Sequence, residues 1–333
     1  MRLPHPARLL LAALAVSLSA PSIGQEAEPA PPSPQVVKSR EEVTIPFAPP
    51  LDTPQAYRLR FERKFASSTN AIELEQRLTF AKIDGGYALT IEQLAINSGD
   101  RRLDLSDRRA LDAVPPGLRV YLLPVVVELD SAGEMVRLRD WPTLQESLRA
   151  FPEAAAGFSG KPVNEGAVAA MRTVLEPFIN STAEEAPRLL IRGWPAMLGY
   201  GGSIFTAGET LASDVEVPTP FSPTPIPAVS QGSVSRTPDA HISLVQTTVF
   251  DPEVIHKLTL GVIDRMRSRG ALKGPLQPAD AILGLELTDE IAITFDPVTG
   301  LPISGRTTRL ANVTTPDGPQ GGGEITTITR IAP

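Results

Sequence analysis

The sequence contains no cysteine among its 333 residues. Without a thiol the chain can form no disulfide and can carry no thioether lipid anchor of the lipoprotein type. A protein without these constraints depends on its own hydrophobic core, and a chain of this length is long enough to build one.

Histidine is also scarce, occurring only as His5, His241 and His256. Two imidazoles fifteen residues apart match no known zinc spacing, so we predict no metal site. The glycines Gly199, Gly201 and Gly202 do not form the G-x-G-x-x-G fingerprint of nucleotide-binding loops. We therefore predict that the protein needs no cofactor.

Basic residues are outnumbered by acidic ones: the chain has 31 Lys and Arg against 38 Asp and Glu, which gives a net charge of −7. The basic residues are scattered and form no cluster with interleaved aromatic residues. Nucleic acids and anionic membranes both require clustered positive charge. The sequence therefore indicates neither of these partners.

Long hydrophobic runs are limited to the first residues, where a secretory signal is predicted over residues 1–24. Arg2 and Arg8 precede the apolar run 9–18, which as a helix would be about 15 Å long, about half of a bilayer core. We expect cleavage between Gly24 and Gln25, a periplasmic or secreted product, and no transmembrane segment afterwards. Loss of the two arginines changes the net charge from −7 to −9.

Proline is abundant, at 34 residues, and concentrates in two stretches. Residues 25–54 are predicted to form a disordered, extended tether, although Val43, Ile45 and Phe47 alternate as in a short strand. Residues 217–238 carry a proline at nearly every second position and are predicted to form an interior loop. The remaining chain, 55–333, is predicted to be one β-rich domain containing that loop.

The domain is predicted to be α+β, with a mostly antiparallel, curved meander sheet and three or four helices packed on one face. Period-two alternation over residues 57–61, 72–80 and 87–91 indicates a meander. Further strands are expected over 118–129, 135–139, 291–295, 301–313 and 324–331. Turns with Asp first and Gly near their end, at Asp130–Gly133 and Asp296–Gly300, join two of these pairs.

Helices are indicated by capping residues followed by apolar stripes. Asn164 precedes one that ends near Asn180, Asp251 and Pro252 open the clearest one, and Asp140 precedes a third, short one. Ser181 and Glu184 resemble a capping box for a further short helix.

The segment from Gly193 to Phe205 concentrates aromatic, methionine and glycine residues without a helical or strand period. Such a segment either lines a ligand cleft or closes the open end of a sheet with apolar side chains. The candidate ligand-binding residues are Trp194, Met197, Tyr200 and Phe205. We predict no catalytic residue and, as partners, an apolar small molecule or an envelope protein.

A hydrolase of envelope polymers is the alternative. Gly201 and Ser203 begin a G-x-S-x-G nucleophile elbow, but Phe205 stands where the second glycine belongs. This alternative requires Ser203, or a pair of carboxylates, to meet His241 or His256 in a cleft. A purely structural spacer is a third possibility, supported by the proline-rich tether alone.

The order of a signal, a tether, long alternating strands, D-x-x-G hairpins such as Asp130–Gly133 and a central helical insertion resembles that of uncharacterised exported bacterial β-rich proteins. It is also similar to the half-barrels of periplasmic lipid or lipoprotein carriers. The resemblance implies an apolar concavity over residues 55–331. It assigns no function to any single residue.

Overall fold

The computed structural model describes residues 41–65, 68–99, 101–105, 111, 114, 119, 122–158, 165–191, 193–219, 222–268, 283–315 and 318–331. Over these ranges the chain forms fourteen strands and five helices. The strands are β1 (Glu42–Thr44), β2 (Gln55–Phe65), β3 (Ser68–Ile83), β4 (Gly86–Ser98), β5 (Arg101–Asp104), β6 (Val125–Asp130), β7 (Met135–Leu138), β8 (Ile204–Thr206), β9 (Thr210–Thr219), β10 (Ser222–Arg236), β11 (Ile242–Phe250), β12 (Gly284–Phe295), β13 (Pro302–Thr315) and β14 (Gly318–Ile331). The helices are α1 (Trp141–Phe158), α2 (Glu165–Ile179), α3 (Ala186–Leu190), α4 (Trp194–Met197) and α5 (Pro252–Ser268).

One antiparallel sheet of twelve strands dominates the fold. Its order is β7-β6-β4-β3-β2-β14-β13-β12-β11-β10-β9, with β5 attached to β4, while β1 and β8 form a separate ribbon. The sheet does not close, so β7 and β9 are its end strands. The predicted α+β class with a mostly antiparallel sheet is confirmed, but the described chain contains five helices instead of three or four.

The meander follows from the alternation of apolar and polar residues. In β2 the side chains of Tyr57 and Leu59 are fully buried, while Arg58 and Arg60 are exposed. Since successive strand residues point to opposite faces, one face of the sheet is apolar. β2, β3 and β4 pair with their neighbours as predicted.

The buried apolar side chains form two clusters. We call the larger one the central cluster; it includes Tyr57, Phe80, Trp194 and Phe295. The smaller, lateral cluster gathers side chains from α2, α5 and β9 to β12; they are Phe178, Val215, Val217, Ile226, Ala228, Phe250, Ile255, Val262, Ile263, Leu285 and Leu287. All five helices contribute a buried side chain to one cluster or the other.

The predicted tether is wrong over its last part, because residues 41–54 belong to the fold. β1 pairs with β8, and Val43 and Ile45 are fully buried in the central cluster. Phe47 makes edge-to-face contacts with Phe80 and Tyr87. The alternation of residues 43, 45 and 47 was therefore a stronger signal than the surrounding prolines.

The predicted interior loop at 217–238 is also wrong, because β9 and β10 occupy most of it. β9 is an end strand, where the missing N–H of Pro218 is tolerated. Pro223 and Pro225 fall within the register shift between Ser222 and Ile226. Pro227 precedes Ala228, where pairing with β11 begins, so the β10–β11 ladder needs no N–H from any of these prolines.

Helix starts agree with the sequence in part. α5 begins after Asp251, whose carboxylate accepts hydrogen bonds from the N–H groups of Glu253 and Val254. The capping box before α3 is formed by Thr182 and Glu185, one residue later than predicted. The helix after Asp140 is not short, because α1 continues for 18 residues.

Strand starts differ most from the prediction at three places. β6 begins at Val125 rather than at residue 118, β12 at Gly284 rather than at residue 291, and β14 at Gly318 rather than at residue 324. Residues 1–24, the predicted cleavage site at Gly24 and Gln25, and Asn164 lie outside the described residues. No helix in the described ranges has the length and apolar character needed to cross a bilayer.

Candidate functional site

A cleft of about 460 Å³ lies where the two ends of the sheet meet the segment that follows α4. Its lining includes Met135 at the start of β7 and Leu211 on β9, which belong to opposite end strands. The volume falls in the range of about 300–1,000 Å³ that is typical of small-molecule sites. We call this feature the seam cleft.

The floor of the seam cleft is the inward face of β9, β10 and β11. Ser213 and Ser230 are direct partners across β9 and β10. On the next strand, Leu244 and Gln246 also line the cleft. Gly232 faces Gln246 across the ladder, and an added Cβ there would lie 3.2 Å from the carbonyl oxygen of Val245, a tight contact.

The opposite wall comes from the β6–β7 turn and α3. Asp130 shapes this turn by accepting hydrogen bonds from the N–H groups of Ala132 and Glu134. The side chain of Glu134 forms an ion pair with Arg188 of α3, and both residues line the cleft. The two charges therefore neutralise each other at the wall.

The roof is the segment between α4 and β8. Close packing requires glycine at position 201, because a Cβ there would lie 2.2 Å from the carbonyl oxygen of Ala132. The N–H of Gly201 donates to that oxygen, and the N–H of Gly202 donates to Ile45. Ile45 in turn donates its N–H to Ser203. The roof is thus fixed to both the N-terminal segment and the β6–β7 turn.

The four candidate ligand-binding residues separate into two pairs. Trp194 and Met197 are fully buried and belong to the central cluster. The indole of Trp194 donates to Gln76 Oε1 at 2.7 Å and meets Tyr57 edge-to-face at 4.8 Å. Neither Trp194 nor Met197 is part of the cleft lining. We therefore assign these two residues to core packing.

Tyr200 and Phe205 do line the cleft. The hydroxyl of Tyr200 donates to Gln246 Oε1 at 3.3 Å, and its ring packs against Phe295 at 5.8 Å. Burial raises the pKa of Tyr200, so the phenol stays protonated at physiological pH. The predicted role of this pair in ligand binding stays a prediction.

Tyr200 begins a chain of hydrogen bonds along the floor. Gln246 Nε2 donates to Ser230 Oγ at 2.8 Å, and Thr248 Oγ1 lies 3.3 Å from the same oxygen. Ser230 and Thr248 are each only 7% exposed. The floor therefore has hydrogen-bonded polar groups beside the apolar side chains of Leu211 and Leu244.

This polar chain is one end of a longer row that crosses the sheet. Directly paired residues share a face of the sheet. From β9 to β2, the successive partners are Ser213, Ser230, Thr248, Asp289, Arg309, Glu324 and Arg63. The row separates the clusters, since on β12 Leu287 lies in the lateral cluster and Ile293 in the central one, with Asp289 between them.

The alternative of a serine hydrolase gains no support from the geometry. Ser203 lines the cleft, but no hydrogen bond in the described part of the chain joins it to His241 or His256. His256 Nε2 is buried in α5, away from the cleft lining. Nor do the described residues include a group of His, Asp or Glu side chains that could hold a metal ion.

Several lining residues were missed by the sequence analysis, above all Ser230, Gln246, Leu211 and Arg188. A signal for Gln246 existed in β11, where residues 242, 244, 246, 248 and 250 share one face and the third and fourth of them are polar. A polar pair inside an inward-facing apolar row marks a place where the core is interrupted.

Comparisons with known proteins do not assign a family. No protein family and no curated protein matches the chain. Among solved structures, DynF from the dynemicin biosynthesis pathway of Micromonospora chersina aligns with 8% identity and a TM-score of 0.18, covering 96% of this chain and 98% of that one. MucB in complex with MucA(peri) aligns with 12% identity and a TM-score of 0.12, covering 84% and 94%. Likeness at this level carries no argument about fold or function.

Proposed function

We propose that this protein is a non-enzymatic binding protein that holds an apolar small molecule in the seam cleft. We further propose that it works outside the cytoplasm, on the basis of the signal predicted over residues 1–24. The single observation that carries the binding role is the mixed lining of the cleft, with apolar side chains in the roof and on β9 and a small set of ordered polar groups on the floor.

The apolar part of that lining supports an apolar ligand. Leu211 is 52% exposed and Ile204 is 64% exposed, although both line the cleft. A ligand that covers exposed apolar side chains in a concave surface removes them from water. This lowers the free energy of the complex by about 25 cal/mol for each Å² of apolar surface buried. Phe205 and Leu198 add further apolar surface to the roof.

The seam cleft lies between the two end strands of the sheet, and this position supports access by a ligand. Curvature of the sheet would bring β7 and β9 near each other, and the lining residues from both strands agree with this arrangement. A ligand entering there meets the ends of two strands and a loop, so it does not need to disrupt a central ladder.

Binding of the neutral dye N-phenylnaphthylamine tests this proposal. The dye should bind the full-length protein and gain fluorescence. In Leu211→Trp a bulkier side chain occupies the mouth of the cleft, and affinity should fall at least about tenfold, a change of about 1.4 kcal/mol. The matched control is Leu310→Trp, since Leu310 is 42% exposed and does not line the cleft.

Absence of dye binding by the unmodified protein, or an equal loss of affinity in both variants, would contradict the proposal. Native mass spectrometry of protein isolated from its own envelope adds a second readout, because it detects both a retained small molecule and an envelope protein partner.

A further inference from the structure

Ser230 is a buried residue at the floor of the seam cleft, and its hydroxyl belongs to a pair of hydroxyls with one donor more than the pair uses. Its oxygen accepts from Gln246 Nε2 and lies 3.3 Å from Thr248 Oγ1. Each hydroxyl carries one O–H, and the two share one hydrogen bond in which either group can donate. When Thr248 donates, the Ser230 O–H has no acceptor among the described residues and can donate to a ligand.

Gln246 shows the same imbalance. Its Oε1 accepts from Tyr200, and one of its two N–H bonds points to Ser230. The second N–H has no acceptor in the described part of the chain. Ser230 and Gln246 both line the cleft, so two donors from adjacent strands remain for whatever lies on the floor.

The charged groups of the cleft lie away from the floor. Arg188 and Glu134 are paired with each other at the opposite wall. The floor thus offers donors without a net charge, while Leu198, Phe205 and Leu211 supply apolar surface beside it. Burying an unpaired donor under an apolar ligand is unfavourable, so a purely hydrocarbon ligand would fit this floor poorly.

We propose that the seam cleft binds an acyl amphiphile by its carbonyl oxygen, which accepts hydrogen bonds from the Ser230 hydroxyl and the Gln246 amide. The alkyl chain lies along Leu198, Phe205 and Leu211. This inference rests on the proposed binding function and adds the class of the ligand and its orientation. A free carboxylate and an ester share the required oxygen.

The test is calorimetric titration of the full-length protein with three probes that carry the same alkyl chain: decanoate, methyl decanoate and decylammonium. Decanoate and methyl decanoate should bind at least about fivefold more tightly than decylammonium, which offers only donors, because one neutral hydrogen bond contributes about 1 kcal/mol. Tighter binding of decanoate than of methyl decanoate would indicate that the natural ligand is a free acid. Tighter binding of the ester would indicate that it is an esterified acyl chain.

Ser230→Ala should lower the affinity for the two acyl probes about fivefold and leave decylammonium unchanged. The control is Ser235→Ala on the same strand, where the side chain is exposed and does not line the cleft. Equal binding of all three probes, with no effect of Ser230→Ala, would overturn the inference while leaving the binding function intact. Failure of every probe and of the dye would overturn both.

Discussion

The two halves of the segment from Gly193 to Phe205 have similar compositions but different surroundings. In the first half, Trp194 and Met197 are fully buried between α4 and the sheet. In the second half, Tyr200 and Phe205 are only partly buried and line the seam cleft. The short helix α4 ends at Met197, and the chain changes direction at Gly199, which has a φ of 89°.

The difference shows that one apolar segment can both close a core and border a cleft. Closing the core and lining a cleft were alternatives for the whole segment. In the structure Trp194 and Met197 close the core, while Tyr200 and Phe205 line the cleft together with Pro195 of the first half. A backbone that turns at glycine places successive apolar side chains against different surfaces. Stability should therefore depend on the first half, and ligand affinity on the second.

The largest effect should come from Trp194→Ala. This change removes a fully buried ring, its edge-to-face contact with Tyr57 and the donor to Gln76. We expect the free energy of unfolding to fall by about 3–5 kcal/mol, as for other large-to-alanine changes in cores. Urea denaturation followed by circular dichroism measures it, and a loss below about 1 kcal/mol would remove the distinction between the two halves.

A smaller effect is expected where the sheet makes room for Met197. A Cβ added at Gly305 would lie 2.3 Å from the Met197 sulfur, so Gly305→Ala should cost about 1–3 kcal/mol of stability. Gly261→Ala in α5 is the control, since no atom lies within 4 Å of its added Cβ. The same denaturation experiment should show a gain of about 0.5–1 kcal/mol for this helix position. Similar values for both variants would argue against tight packing of Met197.

Two tyrosines allow the same substitution to be compared in the core and in the cleft. Tyr200→Phe removes a hydrogen bond to Gln246 and should cost about 1 kcal/mol or less. Tyr57→Phe removes a buried hydroxyl without a partner among the described residues, so it should be neutral or stabilising. Thermal unfolding of the two variants measures the difference in stability. A loss of stability in Tyr57→Phe equal to that in Tyr200→Phe would contradict the expected difference.

The smallest effect concerns the stability of the fold at acid pH and involves Asp296, in the turn between β12 and β13. Burial alone would raise the pKa of Asp296, but the N–H groups of Val298 and Thr299 and the guanidinium of Arg330 outweigh burial and hold the pKa below its usual range. The folded state therefore binds this proton less readily than the unfolded state. Its contribution to stability is present above the unfolded pKa and is lost as the pH falls through the folded pKa.

Asp296→Asn keeps an oxygen acceptor for the turn but removes this titration. The variant should lose less free energy of unfolding than the unmodified protein between about pH 6 and about pH 2.5. Chemical denaturation across that range is the measurement. Parallel curves for the two proteins would show that Asp296 does not contribute to acid sensitivity.

The strands of the meander were predictable because local alternation sets which face is buried. Tyr57 and Leu59 illustrate this, and so does the hairpin at Asp130. The prediction of an interior loop is wrong because its prolines do not block every ladder. Their positions in an end strand and at a register shift become visible only when the pairing of β9, β10 and β11 is known.

The cleft was only partly predictable for a related reason. Tyr200 and Phe205 belong to a segment that composition alone marks as unusual. Their partner Gln246 lies 46 residues after Tyr200, and the register of β10 and β11 brings Ser230 beside it. Register between distant strands depends on the whole sheet, so no local pattern reports which polar groups will meet.

Ligands should bind at Tyr200 and Phe205 in the second half of the segment and not at Trp194 in the first. Nuclear magnetic resonance of the labelled full-length protein during titration with decanoate distinguishes the two. We predict chemical-shift changes at Tyr200, Phe205 and Gln246, with the indole N–H of Trp194 unchanged. Changes centred on Trp194, or none at the cleft residues at saturating decanoate, would show that the seam cleft is not the binding site.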